Sequence, residues 1–192
     1  MAMTRRDVLW VASGVATLLA APPVLRGFAP AQAHGPSRQR SNQAIEVARP
    51  PERVWALVGD FDAIARWHPA VASSPATRGN EVGSVRRLTL RAEGNPSFEE
   101  ELTRHEPDNR LYAYRILAVD PKVLPVNTYS SIFEVKPGAG GGSRVEWRSA
   151  FYRGYMNNDP PPDQNDAAAM AAVTGVLRAG LENIKRMAEA AA

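Results

Sequence analysis

Asp166 to Ala191 reads DAAAMAAVTGVLRAGLENIKRMAEAA, and its spacing predicts one long amphipathic helix. Met170, Val173, Leu177, Leu181, Ile184 and Ala188 recur at three- and four-residue steps and so line one face. Arg178, Glu182, Lys185, Arg186 and Glu189 fall mostly elsewhere. Asp163 and Asp166 can each accept from first-turn amides, and Ala167 to Ala169 favour helix. Gly175 and Gly180 each cost about 1 kcal/mol relative to alanine inside a helix. Gly180 lies beside the apolar face, which leaves two readings: close packing against a strand, or a helix face bordering a cavity.

The chain before this helix is built of short segments. Gln43 opens an alternating strand through Ala48, and Pro50-Pro51 stops it. Pro51 to Gly59 reads as a short helix with proline at its opening, and Ala63 to His68 as a second, closed by Pro69. Period-two patterns then cover Ser73 to Arg78, Ser84 to Arg91, Phe98 to Glu106, Leu111 to Leu117, Tyr129 to Lys136 and Arg144 to Tyr152, separated by Gly, Pro, Asn and Asp turns. Strand, two helices, six strands and a long helix is an α+β order. A seven-stranded antiparallel meander with one helix left over must curl around that helix to bury both apolar faces.

That order resembles the SRPBCC superfamily, the START and birch-pollen-allergen-like helix-grip proteins. The likeness rests on Pro51-Glu52-Arg53-Val54-Trp55-Ala56-Leu57-Val58-Gly59-Asp60-Phe61, Ala65-Arg66-Trp67-His68-Pro69-Ala70-Val71, Gly83-Ser84-Val85-Arg86, the Tyr-Ser-Ser of Asn127 to Ser131, and Gly180-Leu181. It spans Gln43 to Ala190. Within the superfamily the chain is most similar to the bacterial polyketide cyclase/dehydrase type, including exported MxaD-like proteins accessory to periplasmic methanol oxidation. The resemblance implies an apolar cavity between sheet and helix, and a hydrophobic small molecule or lipid as ligand.

The superfamily includes the plant abscisic-acid receptors, and their pocket positions fall here on His68, Glu100, Tyr129, Ser131 and Arg148, with Ala172, Val176 and Gly180 on the long helix. The receptors' gate and latch are replaced by Ala92-Glu93-Gly94-Asn95-Pro96 and Asp120-Pro121-Lys122-Val123-Leu124, and Arg148 stands where they have an acid, so the resemblance does not extend to their ligand.

Alternation places Tyr129, Ser131, Phe133 and Val135 on one face, and Glu100 with Leu102. On a concave face Glu100 needs a partner, because an uncompensated buried carboxylate loses its charge; Arg148 or His68 is the expected one. Such a cluster orients a ligand's polar end. It is also what aldol cyclisation or dehydration needs, with His68 as base and Tyr129 or Arg148 steadying an enolate, so His68, Glu100, Tyr129 and Arg148 are the catalytic candidates. Blander readings stand beside these: Glu99 to Glu101 as a solvated strand edge, His68 as a helix cap, and Trp55, Trp67 and Trp147 as core.

Composition narrows the rest. The 192 residues hold no cysteine, which excludes disulfides, thiolate nucleophiles and cysteine metal sites. The formal charge is +3, of which Arg5, Arg6, Asp7 and Arg26 contribute +2, so no nucleic-acid footprint is expected. Met1 to Ala33 reads as a targeting leader: Thr4-Arg5-Arg6-Asp7-Val8-Leu9 resembles the twin-arginine motif, an apolar run follows, and Ala31-Gln32-Ala33 suits cleavage. A periplasmic protein is the expectation, touching the membrane only during export; an uncleaved anchor is the alternative, against which Pro22-Pro23 argue.

His34 as a new amino terminus can hold copper, but His68 and His105 are the remaining histidines and no spacing motif accompanies them, so no metal or cofactor is expected. Residues 34–42 read as a linker and 43–192 as the domain. Three functions follow: a non-catalytic carrier with an apolar cavity; a cyclase/dehydratase-like enzyme with at least two of its candidates within hydrogen-bond reach; or an accessory protein docking a periplasmic redox partner, with a filled cavity and an exposed apolar patch.

Overall fold

The computed structural model describes residues 35–190. The leader reading of Met1 to Ala33 and the amino-terminal His34 lie outside these residues, as does Ala191. The elements are β1 (Gln39–Val47), α1 (Pro51–Val58), a 3-10 turn (Phe61–Ala63), α2 (Ile64–Trp67), β2 (Val71–Ser73), β3 (Val85–Leu90), β4 (Ser97–Glu106), β5 (Leu111–Ala118), β6 (Val126–Pro137), a second 3-10 turn (Ala139–Gly141), β7 (Ser143–Arg153) and α3 (Asp166–Ala190). All seven strands form one antiparallel sheet in the order β1-β7-β6-β5-β4-β3-β2. This is the helix-grip α+β architecture.

The helix α3 lays Ala169, Val173, Leu177, Gly180, Leu181 and Ile184 into the sheet's hollow, with Met170 and Ala188 half-buried at the two ends of the stripe. Polar pins fix its height on the sheet. Ser41 Oγ meets Thr174 Oγ1 at 2.9 Å, Asn183 donates to the Trp67 carbonyl at 2.6 Å, and Lys185 donates to the Glu46 carbonyl at 2.8 Å. The cap is neither Asp163 nor Asp166: Asn165 Oδ1 accepts from the Ala168 amide at 2.8 Å, while Asp166 turns to Arg153 at 3.3 Å. Arg153 also donates to the carbonyls of Tyr155 and Asn157, so the loop entering α3 is folded around one guanidinium.

The largest differences from the sequence reading fall in three strands. β1 begins at Gln39, inside the stretch read as linker, because Gln39 to Asn42 pair with Phe151 to Arg148 of β7. β2 is only Val71–Ser73 and shares a single residue with the expected Ser73 to Arg78. Ser74 leaves the ladder to cap the helical turn, accepting from the Ala65 amide and donating to the Asp62 carbonyl, and Pro75 has no amide to continue it. β6 starts three residues early, at Val126, and carries a bulge at Asn127–Ser130 where Thr128 has φ +48°. A bulge re-aims the next side chain, here Tyr129.

Candidate functional site

Pro69 forces the residue before it out of helical conformation, so α2 ends at His68 with φ −95° and ψ 119°. The imidazole is thereby driven under α3, where it is 3% exposed and lies edge-on to Trp147. Its Nδ1 accepts from the Ala70 amide at 3.2 Å and its Nε2 donates to the Val176 carbonyl at 3.0 Å. An amide can only donate and a carbonyl can only accept, so the two bonds select the neutral Nε2–H tautomer. Burial lowers the pKa from 6.5, helped by the charge of Arg86, with the Val176 bond acting against it.

The sign of the resulting pH effect follows. Below pH 6.5 the unfolded chain takes a proton on this ring that the folded protein still refuses, so folding loses stability as pH falls from there toward the lowered folded value. His68→Gln is expected to remove that loss. Urea midpoints at pH 8 and pH 5.5 check it: the wild type should fall further between the two pH values than the variant does.

Glu100 is inward on β4, as its alternation with Leu102 implies, and is 3% exposed. Its partner is neither Arg148 nor His68 but Arg86, directly across the ladder on β3. Arg86 Nη2 and Nε approach Glu100 Oε2 at 2.6 and 2.7 Å, and Nη1 donates to the Phe61 carbonyl at 2.6 Å. The guanidinium lies 4.2 Å from the Phe61 ring centroid and 4.8 Å from that of Tyr114. Burial pushes the Glu100 carboxyl up further than Arg86 pulls it back down, leaving the net shift upward. For Arg86, burial acts to lower the pKa, but Glu100 and the Tyr112 and Tyr114 phenols outweigh it, leaving the net shift upward. Arg86 therefore stays charged.

Tyr129, Ser131 and the adjacent Ser149 form a second polar group. Tyr129 Oη is 2.7 Å from Ser149 Oγ, Ser131 Oγ is 2.9 Å from the same atom, and Trp147 Nε1 donates to Ser131 Oγ at 2.9 Å and to Tyr114 Oη at 3.1 Å. Burial raises the Tyr129 pKa, so its phenol stays protonated. Arg148 is not part of this site. Trp147 and Ser149 take the inward positions of β7, which sends Arg148 to the convex face, where it pairs with Glu134 at 2.8 Å. A one-residue offset on a strand is a change of face.

Between these groups lies a cavity of about 90 Å³. Leu88, Leu90, Phe98, Ile116 and Leu124 give it an apolar wall; His68, Glu100, Tyr114 and Tyr129 supply polar edges, and Val176 stands at its mouth. Glu100 Oε2 takes both Arg86 contacts, and among the described residues no donor reaches Oε1. Of the helix positions, Val176 lines the cavity, Gly180 packs against the His68 and Trp147 rings behind it, and Ala172 is half-buried away from it.

Arg86, Tyr114 and Ser149 are the site residues that the sequence reading did not single out for chemistry. A signal existed for Arg86: it sits in register with Ser84 and Leu88, so an inward strand face carries one charge, opposite Glu100. No metal-ligating cluster occurs among the described residues.

No curated protein matches the chain. Among solved structures it is similar to the protein XoxI from Bacillus cereus, at 27% identity and TM-score 0.64, covering 77% of this chain and 94% of that one. It is also similar to an uncharacterized protein from Bacillus thuringiensis, at 26% identity and TM-score 0.64, covering 78% and 98%. Norcoclaurine synthase from Thalictrum flavum, solved with dopamine and hydroxybenzaldehyde, matches at 14% identity and TM-score 0.60, covering 80% and 87%, a likeness of fold alone. The pattern of the family described as polyketide cyclase/dehydrase and lipid transport matches residues 38–189, nearly the whole described chain, and the protein belongs to that family.

Proposed function

We propose that the protein is a non-catalytic binding protein for a small, mostly apolar molecule carrying one polar hydrogen-bonding end. The observation that carries this is the composition of the cavity wall: aliphatic and aromatic groups throughout, with one buried carboxylate whose Oε1 is left for a ligand donor. The polar candidates are not arranged for acid/base work. Both His68 nitrogens are engaged by backbone groups, Tyr129 is committed to Ser149, and neither hydrogen-bonds Glu100. A free base and a free acid within reach of one substrate atom are what proton abstraction requires.

Size limits the ligand. An apolar cavity of about 150 Å³ holds a benzene, and this one is about 90 Å³. A single ring therefore fits after a small outward shift of Leu124 or Val176, whereas an acyl chain needs the whole loop between β5 and β6 to open. The leader reading supports export, and the periplasm is the proposed place of action. We put an aromatic alcohol or a comparably small ligand ahead of a lipid.

The test is a titration with phenol and with naphthol followed through the fluorescence of the tryptophans, of which Trp147 lines the cavity, beside native mass spectrometry of the purified protein for a co-purifying ligand. Saturable phenol binding is expected, weakened about tenfold by Val176→Trp, which plugs the mouth. Leu124→Ala should admit naphthol as well. No saturable binding of either probe and no co-purifying small molecule would sink the reading, and chemical turnover of a bound ligand would replace it with the enzyme one.

A further inference from the structure

The convex face of the sheet carries a charge imbalance at one end. Across its lower half the charges match: Arg144, Lys136 and Arg148 are paired with Glu46, Glu146 and Glu134 at 2.8 to 3.3 Å. Toward the start of β1 the matching stops. Arg38 and Arg40 are exposed, and among the described residues neither guanidinium has an ion-pair or side-chain hydrogen-bond partner. Both border an open cleft of about 510 Å³ lined also by Thr103, Ala113, Ser130, Ile132 and Ala150, and by Arg148, which is already paired with Glu134.

Register fixes the geometry. Arg40 stands opposite Ala150, Ala150 opposite Ser130, and Ser130 opposite Arg115, which is tied to Glu101 at 2.8 Å. Arg40 therefore stands about 14 Å from Arg115, three strand spacings, and Arg115 lies outside the cleft lining. Arg38 and Arg40 project two residues apart, about 7 Å along the chain direction.

We propose that this cleft docks an extended acidic segment of a partner protein. Alternate side chains of an extended segment repeat at the same interval as Arg38 and Arg40, so two carboxylates on one side of such a segment meet both guanidiniums at once. An open floor in which Ala113, Ser130 and Ala150 are short seats a backbone, while it encloses too little of a small ligand to hold it well.

The experiment uses a labelled octapeptide of alternating Glu and Ser, and a Gln-Ser counterpart, in fluorescence anisotropy at low ionic strength. The acidic peptide is expected to bind and to be released by salt, with about tenfold weaker binding to the Arg38→Gln, Arg40→Gln double variant, the effect of losing two surface ion pairs. Arg66→Gln with Arg87→Gln, the same charge change elsewhere on the surface, should leave binding unchanged. The docking proposal fails if the control variant weakens binding equally, if the Gln-Ser peptide binds as well, or if inorganic phosphate displaces the acidic peptide at matching concentration. The last result would mark a simple anion site.

Discussion

Glu100→Leu is expected to destabilise the protein by about 3–5 kcal/mol, and Arg86→Met by a similar amount, because each leaves the other charge buried without its counter-ion. Two fully buried groups in contact at 2.6 Å depend on one another for their ionised forms. The double variant Arg86→Met, Glu100→Leu should recover most of the loss, since an apolar pair of similar volume incurs no desolvation cost and can pack against Phe61 and Tyr114. Denaturant midpoints with unchanged slopes check this. Two single variants of near wild-type stability would mean that water reaches the pair. The phenol titration on the folded double variant adds a functional reading: the cavity keeps its apolar wall but loses the carboxylate oxygen, so affinity should drop.

The second large effect is at Gly180. Alanine gains about 1 kcal/mol over glycine in a helix interior, and at Gly175, where nothing lies within 4 Å of an added Cβ, Gly175→Ala should stabilise by that amount. At Gly180 the added Cβ would fall 2.7 Å from both His68 Cδ2 and Trp147 Cζ3, ring atoms of two buried side chains. Neither ring can swing away. The helix must back off instead, which loosens the bond from His68 to the Val176 carbonyl on the same turn. A net loss of about 1–3 kcal/mol is expected for Gly180→Ala, the overpacking cost exceeding the propensity gain. Opposite signs for the two glycine variants, measured by thermal or urea unfolding, would establish that close packing, rather than a bordering cavity, explains this glycine.

Much of the fold was legible because its signals are local. The three- and four-residue steps of Val173, Leu177, Leu181 and Ile184 gave α3 and its buried face, and alternation gave the inward positions of Glu100, Leu102, Tyr129, Ser131 and Phe133. Pro50-Pro51 and Pro69 marked the ends of the short elements. Boundaries went astray where a distant partner decided them: Gln39 to Asn42 look like solvated linker until β7 supplies their ladder. Asn165 became the cap in place of the two aspartates because Arg153 draws Asp166 away.

The site was legible in part, for the same reason. His68, Glu100, Tyr129 and Val176 do line one cavity, but their chemistry depends on neighbours far away in the chain. The Nδ1 and Nε2 partners of His68 come from Ala70 and from a helix more than a hundred residues on. Family analogy puts Arg148 inside, whereas the register of β7 turns it outward to Glu134.

What the sequence by itself determined is the order of elements and which faces are apolar, since these follow from periods of 3.6 and 2 that each segment carries within itself; the helix-grip architecture follows from that order together with the family resemblance. Only the tertiary structure decided that Arg86 answers Glu100, that His68 is a neutral, fully engaged ring rather than a free base, and that the cavity is small. Ion pairing, tautomer and volume are set by distances between segments, and these exist only once the sheet has closed around the helix.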